Sequence, residues 1–158
     1  MKRNLILKLI TGTVITTTLF SGTSFRANGQ WRVDSQGNYY FNDGSGFSFG
    51  WKKINNVIYY FDNNGVMQKG WIKYNDAWYF LDEGGALKTG WINFNNNWYY
   101  SNSAGIMQTG IIKINGKTYC FADNGVMQTK NMIIDGQFYT IANDGSVVLD
   151  INPYTPSV

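Results

Sequence analysis

The chain has 158 residues, a formal net charge of +3 and no histidine, which is enough chain for about one domain. Its single cysteine, Cys120, excludes an intramolecular disulfide. Without a histidine, that thiol also lacks the usual base that activates a catalytic nucleophile.

The first 27 residues have the layout of a secretory signal peptide. Positive charge at Met1-Lys2-Arg3 precedes a mainly apolar run from Leu5 to Ile10, and small residues from Ser21 to Ser24 and at Ala27 follow it. A transmembrane anchor needs roughly 20 continuous apolar residues, and threonine and glycine interrupt this stretch. We therefore expect a secreted protein with no membrane association after cleavage.

Removal of this segment changes the charge balance. It takes away four basic residues and leaves nine basic and ten acidic ones, a net charge of about −1. The apparent basicity belongs to the export signal, so the mature chain lacks the positive patch that nucleic-acid binding needs. We therefore expect no nucleic-acid partner.

Residues 28–150 nearly recur every twenty positions. The recurring positions include a Gly-Trp pair, a tyrosine and a later glycine, as in Gly50-Trp51, Gly70-Trp71 and Gly90-Trp91; in Tyr39, Tyr59, Tyr79, Tyr99, Tyr119 and Tyr139; and in Gly65, Gly85, Gly105, Gly125 and Gly145. A period of this size predicts stacked supersecondary units that share a continuous core. We expect an all-β, β-hairpin solenoid of about six 20-residue repeats, near 30–49, 50–69, 70–89, 90–109, 110–129 and 130–149, with a tail at 151–158.

Each unit contains two short β-prone runs about a turn. In one unit these are 71–74 and 78–81, separated by Asn75-Asp76-Ala77, and this pattern is typical of a β-hairpin. Two other units have the strongest short hairpin signal, Asn115-Gly116 and Asp135-Gly136. The last unit departs from the pattern because Lys130-Asn131 replaces Gly-Trp, as expected for a capping repeat.

The hairpin predicts two different faces. A two-residue turn at Asn115-Gly116 places Ile112 opposite Tyr119, and alternate side chains point to opposite faces. We call the face with Ile112 and Tyr119 face A; it is apolar in nearly every unit, which indicates a stacking seam. Face B loses its aromatic residues towards the C-terminus, from Trp51, Ile58 and Tyr60, through Trp71, Trp78 and Phe80 and then Trp91, Trp98 and Tyr100, to Ile111, Thr118 and Cys120. Aromatic residues concentrated in the middle units indicate binding sites.

The units at Gly70–Thr89 and Gly90–Thr109 resemble the cell-wall-binding, or choline-binding, repeat of Gram-positive surface proteins. The Gly-Trp pair, the aromatic triplet, the glycine and the methionine recur together at fixed spacing, and the resemblance covers about residues 30–149. The stretch Gly110–Tyr119 also resembles the related repeats of clostridial toxins and glucan-binding enzymes.

The resemblance implies ligand sites between consecutive hairpins. In choline-binding members, two tryptophans of one unit and a tyrosine and a methionine of the next form an aromatic cage. Carried over to this chain, the cages are Trp71, Trp78, Tyr100 and Met107; Trp91 and Trp98 with Met127, and Cys120 at the tyrosine position; Trp51 and Ile58 with Phe80 and Leu87; and Trp31 and Asn38 with Tyr60 and Met67. Such rings suit a quaternary ammonium, which has no N–H to donate, through cation–π contacts.

The function that the resemblance implies is a secreted, non-catalytic, cell-wall-associated module that recognises choline on teichoic acids. Stacking of Trp and Tyr on sugar rings leaves a glucan- or glycan-binding module as an alternative, and a structural surface adhesin is a third. No catalytic residue, metal site or cofactor is predicted. The sequence leaves the oligomeric state open.

Overall fold

A computed structural model describes residues 29–134 and 137–149. The predicted signal peptide, the Asp135-Gly136 turn and the tail at 151–158 lie outside the described residues. The described secondary structure consists of strands, which we number β1 to β13 in chain order. They are Gln30–Val33, Tyr39–Asn42, Gly50–Ile54, Val57–Phe61, Gly70–Tyr74, Ala77–Leu81, Gly90–Phe94, Asn97–Ser101, Gly110–Ile114, Lys117–Phe121, Met132–Ile134, Gln137–Ile141 and Val147–Leu149.

The strands pair locally, each with its neighbour in sequence. Strands β1 to β10 form five two-stranded sheets, which we call hairpins 1 to 5, and β11, β12 and β13 form a three-stranded sheet. This arrangement confirms the all-β hairpin-repeat class. Strand β13 was not predicted; its Val147 and Leu149 pair with Ile141 and Tyr139 of β12. No described helix is long and apolar enough to cross a membrane.

Tight two-residue turns close hairpins 2 to 5. In hairpin 5, Asn115 and Gly116 have φ values of 50° and 83°. Ile114 lies opposite Lys117, and Ile112 lies opposite Tyr119. The predicted register is therefore confirmed. Asn55 and Asn56 adopt φ values of 48° and 67° in hairpin 2. Asparagine tolerates this left-handed region, and two positive φ values match the right-handed twist of paired strands.

Hairpin 1 departs from the twenty-residue period. Its loop is longer, and the Asp34 carboxylate accepts hydrogen bonds from the Gln36 and Asn38 N–H groups, each at 2.9 Å. Trp31 therefore pairs with Phe41, whereas Trp51 of hairpin 2 pairs with Tyr60. This is a shift of one residue in β2, so the prediction that Tyr39 occupies the repeated tyrosine position is wrong.

Contacts divide the described residues into two compact units. The first contains residues 29–72 and 80–87, and the second contains 73–79, 88–134 and 137–149. In each unit, the loop after one hairpin bonds to the preceding hairpin through main-chain atoms. The Met67 and Leu87 N–H groups donate to the carbonyls of Tyr39 and Ile58 in the first unit, and those of Met107 and Met127 donate to Trp78 and Trp98 in the second, all at 2.8 Å.

Each unit has its own apolar cluster, which combines residues of face A with rings of face B. In the first unit, the cluster is Phe41, Ile54, Phe61 and Met67, with Trp31, Tyr39 and Tyr59 packed against it. In the second, it is Ile114, Phe121 and Met127, with Trp91, Tyr100, Ile112 and Tyr119 packed against it. In hairpins 2 to 5, the buried strand positions lie on face A as predicted, except for Cys120 of face B. Tyr74, at a strand end, is an exception with 36% exposure.

Ser101 occupies a core position that holds phenylalanine or leucine in neighbouring hairpins. It is fully buried, and its hydroxyl has no hydrogen-bond partner among the described residues. A buried, unsatisfied hydroxyl opposes folding by roughly 1–3 kcal/mol.

We expect Ser101→Ala to leave the free energy of unfolding unchanged or to raise it by about 1 kcal/mol in a urea titration. The exposed Ser103→Ala is the control, and a loss of stability in Ser101→Ala alone would contradict the assignment.

Two glycines with similar backbone angles separate the effect of strain from that of packing. Gly116 and Gly125 have φ values of 83° and 80°, but a Cβ at Gly116 meets nothing within 4 Å, whereas one at Gly125 overlaps the Met107 thioether. Gly116→Ala should lower the free energy of unfolding by about 1–2 kcal/mol, since alanine is strained there. Gly125→Ala should lower it by more, because Met107 must also move. Equal losses in urea titrations would show that Met107 is not fixed on this glycine.

Candidate functional site

Tryptophans on the two strands of a hairpin have different exposures. Trp78 and Trp98, on second strands, are 42% and 44% exposed, whereas Trp71 and Trp91, on first strands, are half-buried. An indole that stays this exposed beside a buried core is available to a ligand. The second-strand tryptophans therefore define the candidate binding surface.

In the second unit, Trp91 is held among four other rings. Its centroid lies 5.3 Å from that of Tyr100, 4.7 Å from Tyr119 and 5.9 Å from Phe121. Trp98 lies 6.1 Å away, nearly perpendicular at 87°. These are favourable edge-to-face or tilted geometries, so Trp91 anchors the cluster while Trp98 stands at its exposed side. The predicted pair of Trp91 and Trp98 is brought together.

Tyr119 was not among the predicted site residues, yet its ring is the nearest described ring to Trp91. It belongs to face A of hairpin 5, whereas Trp91 belongs to face B of hairpin 4. The seam therefore joins unlike faces of consecutive hairpins. The repeat period alone cannot show this contact, because it does not tell which faces of neighbouring units meet.

An open cleft of about 300 Å³ lies beside Trp98. The hydrogen bond from the Met127 N–H group to the Trp98 carbonyl holds the following loop against β8. The lining combines one large ring with apolar, amide and cationic side chains: Asn96, Asn97, Trp98, Val126, Met127, Gln128, Thr129 and Lys130. The predicted residues Trp98 and Met127 thus share one cleft.

The methionines of the repeat also pack on glycines. A Cβ added at Gly85 would lie 2.5 Å from the Met67 sulfur, and one at Gly145 would lie 2.5 Å from the Met127 methyl carbon. Only glycine leaves room for these thioether groups. Met67 and Met127 therefore fill gaps in the core, and Met127 reaches the cleft from a largely buried position.

The cage predicted from Trp71, Trp78, Tyr100 and Met107 draws its residues from both units. In the first unit, Trp71 lies 5.0 Å from Phe80. In the second, the Met107 N–H group donates to the Trp78 carbonyl at 2.8 Å, and Tyr100 packs on Trp91. The complete four-residue cage stays a prediction.

The cage expected at Trp51 lacks a second indole. Trp51 lies 5.0 Å from Tyr60 of its own hairpin, and the exposed position of the second strand holds Ile58. Leu87 is bonded to that position through its N–H group. Phe80 packs on Trp71. An aliphatic side chain offers no ring face to a cation, so this site stays a prediction with the weakest aromatic set.

The first hairpin contains an aromatic set that the period conceals. Because of the one-residue shift, Tyr39 and not Asn38 receives the hydrogen bond from the following loop, through Met67 N–H. Tyr39 thus holds the place of Trp78 and Trp98. Trp31 lies 5.0 Å from Tyr59, a contact that corresponds to the one of 4.7 Å between Trp91 and Tyr119.

The cysteine and three aspartates of the repeats are engaged in structure. Burial raises the pKa of the Cys120 thiol, which keeps it protonated. Hydrogen bonds from Lys117 and Ser146 lower the pKa of Asp144, and the Asp62 and Asp82 carboxylates each accept hydrogen bonds from two N–H groups of their own turns. These carboxylates therefore stabilise turns, a common role of aspartate.

The fold and the surface define a β-hairpin repeat module with exposed aromatic residues at the joins between repeats. A model of the choline-binding repeat matches residues 49–89 and 88–131, just over half of the chain. The chain belongs to the choline-binding repeat family. No curated protein matches the sequence.

Solved structures from pneumococcus and a pneumococcal phage are similar to the chain. Choline-binding protein F of Streptococcus pneumoniae is 34% identical with a TM-score of 0.71, over 75% of this chain and 41% of that one. It has also been solved in the presence of a peptidoglycan analogue, at 35% identity, a TM-score of 0.71 and coverages of 75% and 40%. The cell wall endolysin of phage Cp-1, complexed with choline, is 30% identical with a TM-score of 0.56, over 87% and 42%. The chain therefore spans about two fifths of the length of these structures.

Proposed function

We propose that this chain is a secreted, non-catalytic module that attaches to the cell wall by binding choline on teichoic acids. The observation that carries the proposal is the Trp98 cleft, where an exposed indole anchored by Trp91 meets the Met127 loop. The family and the similarity to an endolysin complexed with choline support it.

The chemistry of the cleft suits a quaternary ammonium. The methyl groups of choline carry the positive charge and cannot donate N–H hydrogen bonds, so a ring face is a better partner than a carbonyl. A cation–π contact contributes about 0.5–2 kcal/mol. One such site is weak, but several sites on a repetitive polymer gain avidity through effective concentration. A teichoic acid bearing many choline groups supplies such a polymer.

The non-catalytic part of the proposal is supported by the use of the acidic side chains. Asp62, Asp82 and Asp144 accept hydrogen bonds within their own turns. General acid–base chemistry needs a carboxyl group within reach of a substrate proton, whereas these groups are committed to main-chain amides and, for Asp144, to a lysine.

A glycan ligand is favoured by one feature of the same cleft. Asn96, Asn97 and Gln128 line it together with the Trp98 ring, and amide groups beside a ring match the polar edge and apolar face of a sugar. Choline competition separates the two ligands, since a glycan site would not be emptied by free choline.

The central test is retention of the mature chain on a choline or tertiary-amine resin, followed by elution with free choline. We expect retention of the wild type, and Trp98→Ala or Trp78→Ala to weaken choline binding about 2- to 30-fold, the equivalent of one cation–π contact. Thr118→Ala is the matched control, because Thr118 lies at the same strand position without a ring. A titration followed by Trp fluorescence measures the affinities.

Three outcomes would contradict parts of this proposal. A wild type that is not retained, or that free choline does not elute, would exclude choline as the ligand. Equal effects of Trp98→Ala and Thr118→Ala on choline binding would show that the Trp98 indole does not contact the ligand. Binding to a glycan array that choline does not compete with would select the glycan-binding alternative. Circular dichroism of each variant checks that it is folded.

The charge of Lys130 should weaken the binding of a cation in the cleft that it lines. Two unit charges roughly 8 Å apart in water repel by about 0.5 kcal/mol. Lys130→Gln should therefore bind choline about twofold more tightly at low salt, with the difference shrinking as salt screens the repulsion. The exposed Lys113→Gln is the control, measured in the same fluorescence titration. No difference between the two variants at low salt would place the ligand away from Lys130.

A further inference from the structure

Hairpin 1 reproduces the geometry of the Trp91 cluster although its sequence is out of period. Trp31 lies 5.2 Å from Phe41, 5.0 Å from Tyr59 and 5.9 Å from Phe61. The corresponding distances from Trp91 are 5.3, 4.7 and 5.9 Å, to Tyr100, Tyr119 and Phe121. We call the join formed by Trp31, Tyr39 and Met67 the first seam.

Main-chain hydrogen bonds place Tyr39 at the position of the exposed tryptophans. The Met67 N–H group donates to the Tyr39 carbonyl at 2.8 Å, as Met127 does to Trp98. A second main-chain bond supports the same alignment. The loop after hairpin 1 bonds to its own hairpin through Ser48 N–H and the Phe41 carbonyl, as the loop after hairpin 5 does through Gln128 N–H and the Cys120 carbonyl. The first seam therefore has an aromatic ring where alignment by the twenty-residue period places Asn38.

The ring of Tyr39 already carries a cation. The Lys69 ammonium nitrogen lies 5.3 Å from the Tyr39 ring centroid, inside the roughly 6 Å range of a cation–π contact. Lys69 replaces a threonine that the next three units have at this position, and one of them, Thr129, lines the Trp98 cleft. The ammonium group of Lys69 thus lies where, in the Trp98 cleft, there is space for the ammonium group of a ligand.

We propose that the first seam is a quaternary-ammonium site occupied by the chain's own Lys69, and that Lys69 excludes choline from it. The inference rests on the proposed function, since it takes the ring at this position to be a cation receptor. Lys69 is tethered only two residues beyond Met67, whose main chain is bonded to Tyr39. Its effective concentration at the ring is therefore high, in the millimolar range typical of short tethers, and a free ligand must compete with it.

The exclusion has a structural reason as well as an energetic one. The ammonium is attached at the loop position that forms the wall of the Trp98 cleft in the second unit. Among the ion pairs of the described residues, none involves Lys69, so no carboxylate holds its charge away from the ring. The same side chain therefore covers the Tyr39 ring and brings a positive charge to its face.

The test is the number of choline molecules bound per chain, measured by equilibrium dialysis and calorimetry. Lys69→Thr, which restores the residue of the following units, should bind one more choline than the wild type. Lys69→Arg should not, because a guanidinium also covers the ring. Lys113→Thr removes a charge from an exposed strand position and controls for the general effect of charge. The double variant Tyr39→Leu with Lys69→Thr keeps apolar bulk without the ring and should lose the added site.

Each result bears on a different claim. Choline binding by the wild type with the same stoichiometry in Lys69→Thr would overturn the inference and leave the proposed function intact. Choline binding by Lys69→Thr but not by the wild type would support the inference and overturn the proposed function of the wild-type chain. An added site that survives Tyr39→Leu would also overturn the inference, since the site would then not be the Tyr39 ring. If no variant binds choline, both claims are wrong.

Discussion

The contact of a first-strand tryptophan with the face-A rings of the next hairpin is the interaction on which the structure depends. Trp31 meets Tyr59 and Phe61, and Trp91 meets Tyr119 and Phe121. A two-stranded hairpin is marginal in water, so it gains its stability by burying one apolar face against a neighbour. The same contact orders Trp91 and so gives the exposed Trp98 a fixed partner.

Two main-chain constraints make this contact reproducible. Turns with two positive φ values set the register of hairpins 2 to 5, so that a given strand position always points to the same face. The loop N–H groups of Met107 and Met127 then bond to the carbonyls of the second-strand tryptophans. These bonds place a loop beside each exposed indole whatever side chains the loop carries. The scaffold is therefore constant, whereas the chemistry beside the indole can vary from repeat to repeat.

Much of the scaffold could be predicted from the sequence because it has a local cause. Asn115-Gly116 determines a turn and with it the pairing of Ile112 with Tyr119, and strand alternation then predicts which residues form the core. Trp91 and Trp98 could be paired for the same reason, since both belong to one hairpin. Their contact with Tyr119 could not, because a repeat period describes one unit and leaves the packing between units undetermined.

The shift in hairpin 1 shows a second limit of reasoning from the period. A loop closed by Asp34 and Asn38 replaces the tight turn and moves β2 by one residue relative to β1. Counting by twenty then assigns Asn38 to the strand position that Tyr39 holds, the position of Trp78 and Trp98 in later hairpins. The loop at Met67 makes the same main-chain bond as in later repeats. The shift in register is therefore confined to β2, and counting by twenty assigns the following repeats correctly.

Two lysines illustrate how the variable loop decides what an otherwise constant join can do. Lys130 lines the Trp98 cleft beside its ring and adds a positive charge to an open space. The ammonium nitrogen of Lys69 lies over the Tyr39 ring itself, 5.3 Å from the ring centroid. A charge beside a cation site changes affinity through a screened, distance-dependent repulsion, whereas a charge on the ring competes for the same surface. In the proposed function, the number of aromatic joins is therefore an upper limit on the number of ligands, and the loop side chains determine how many joins are open.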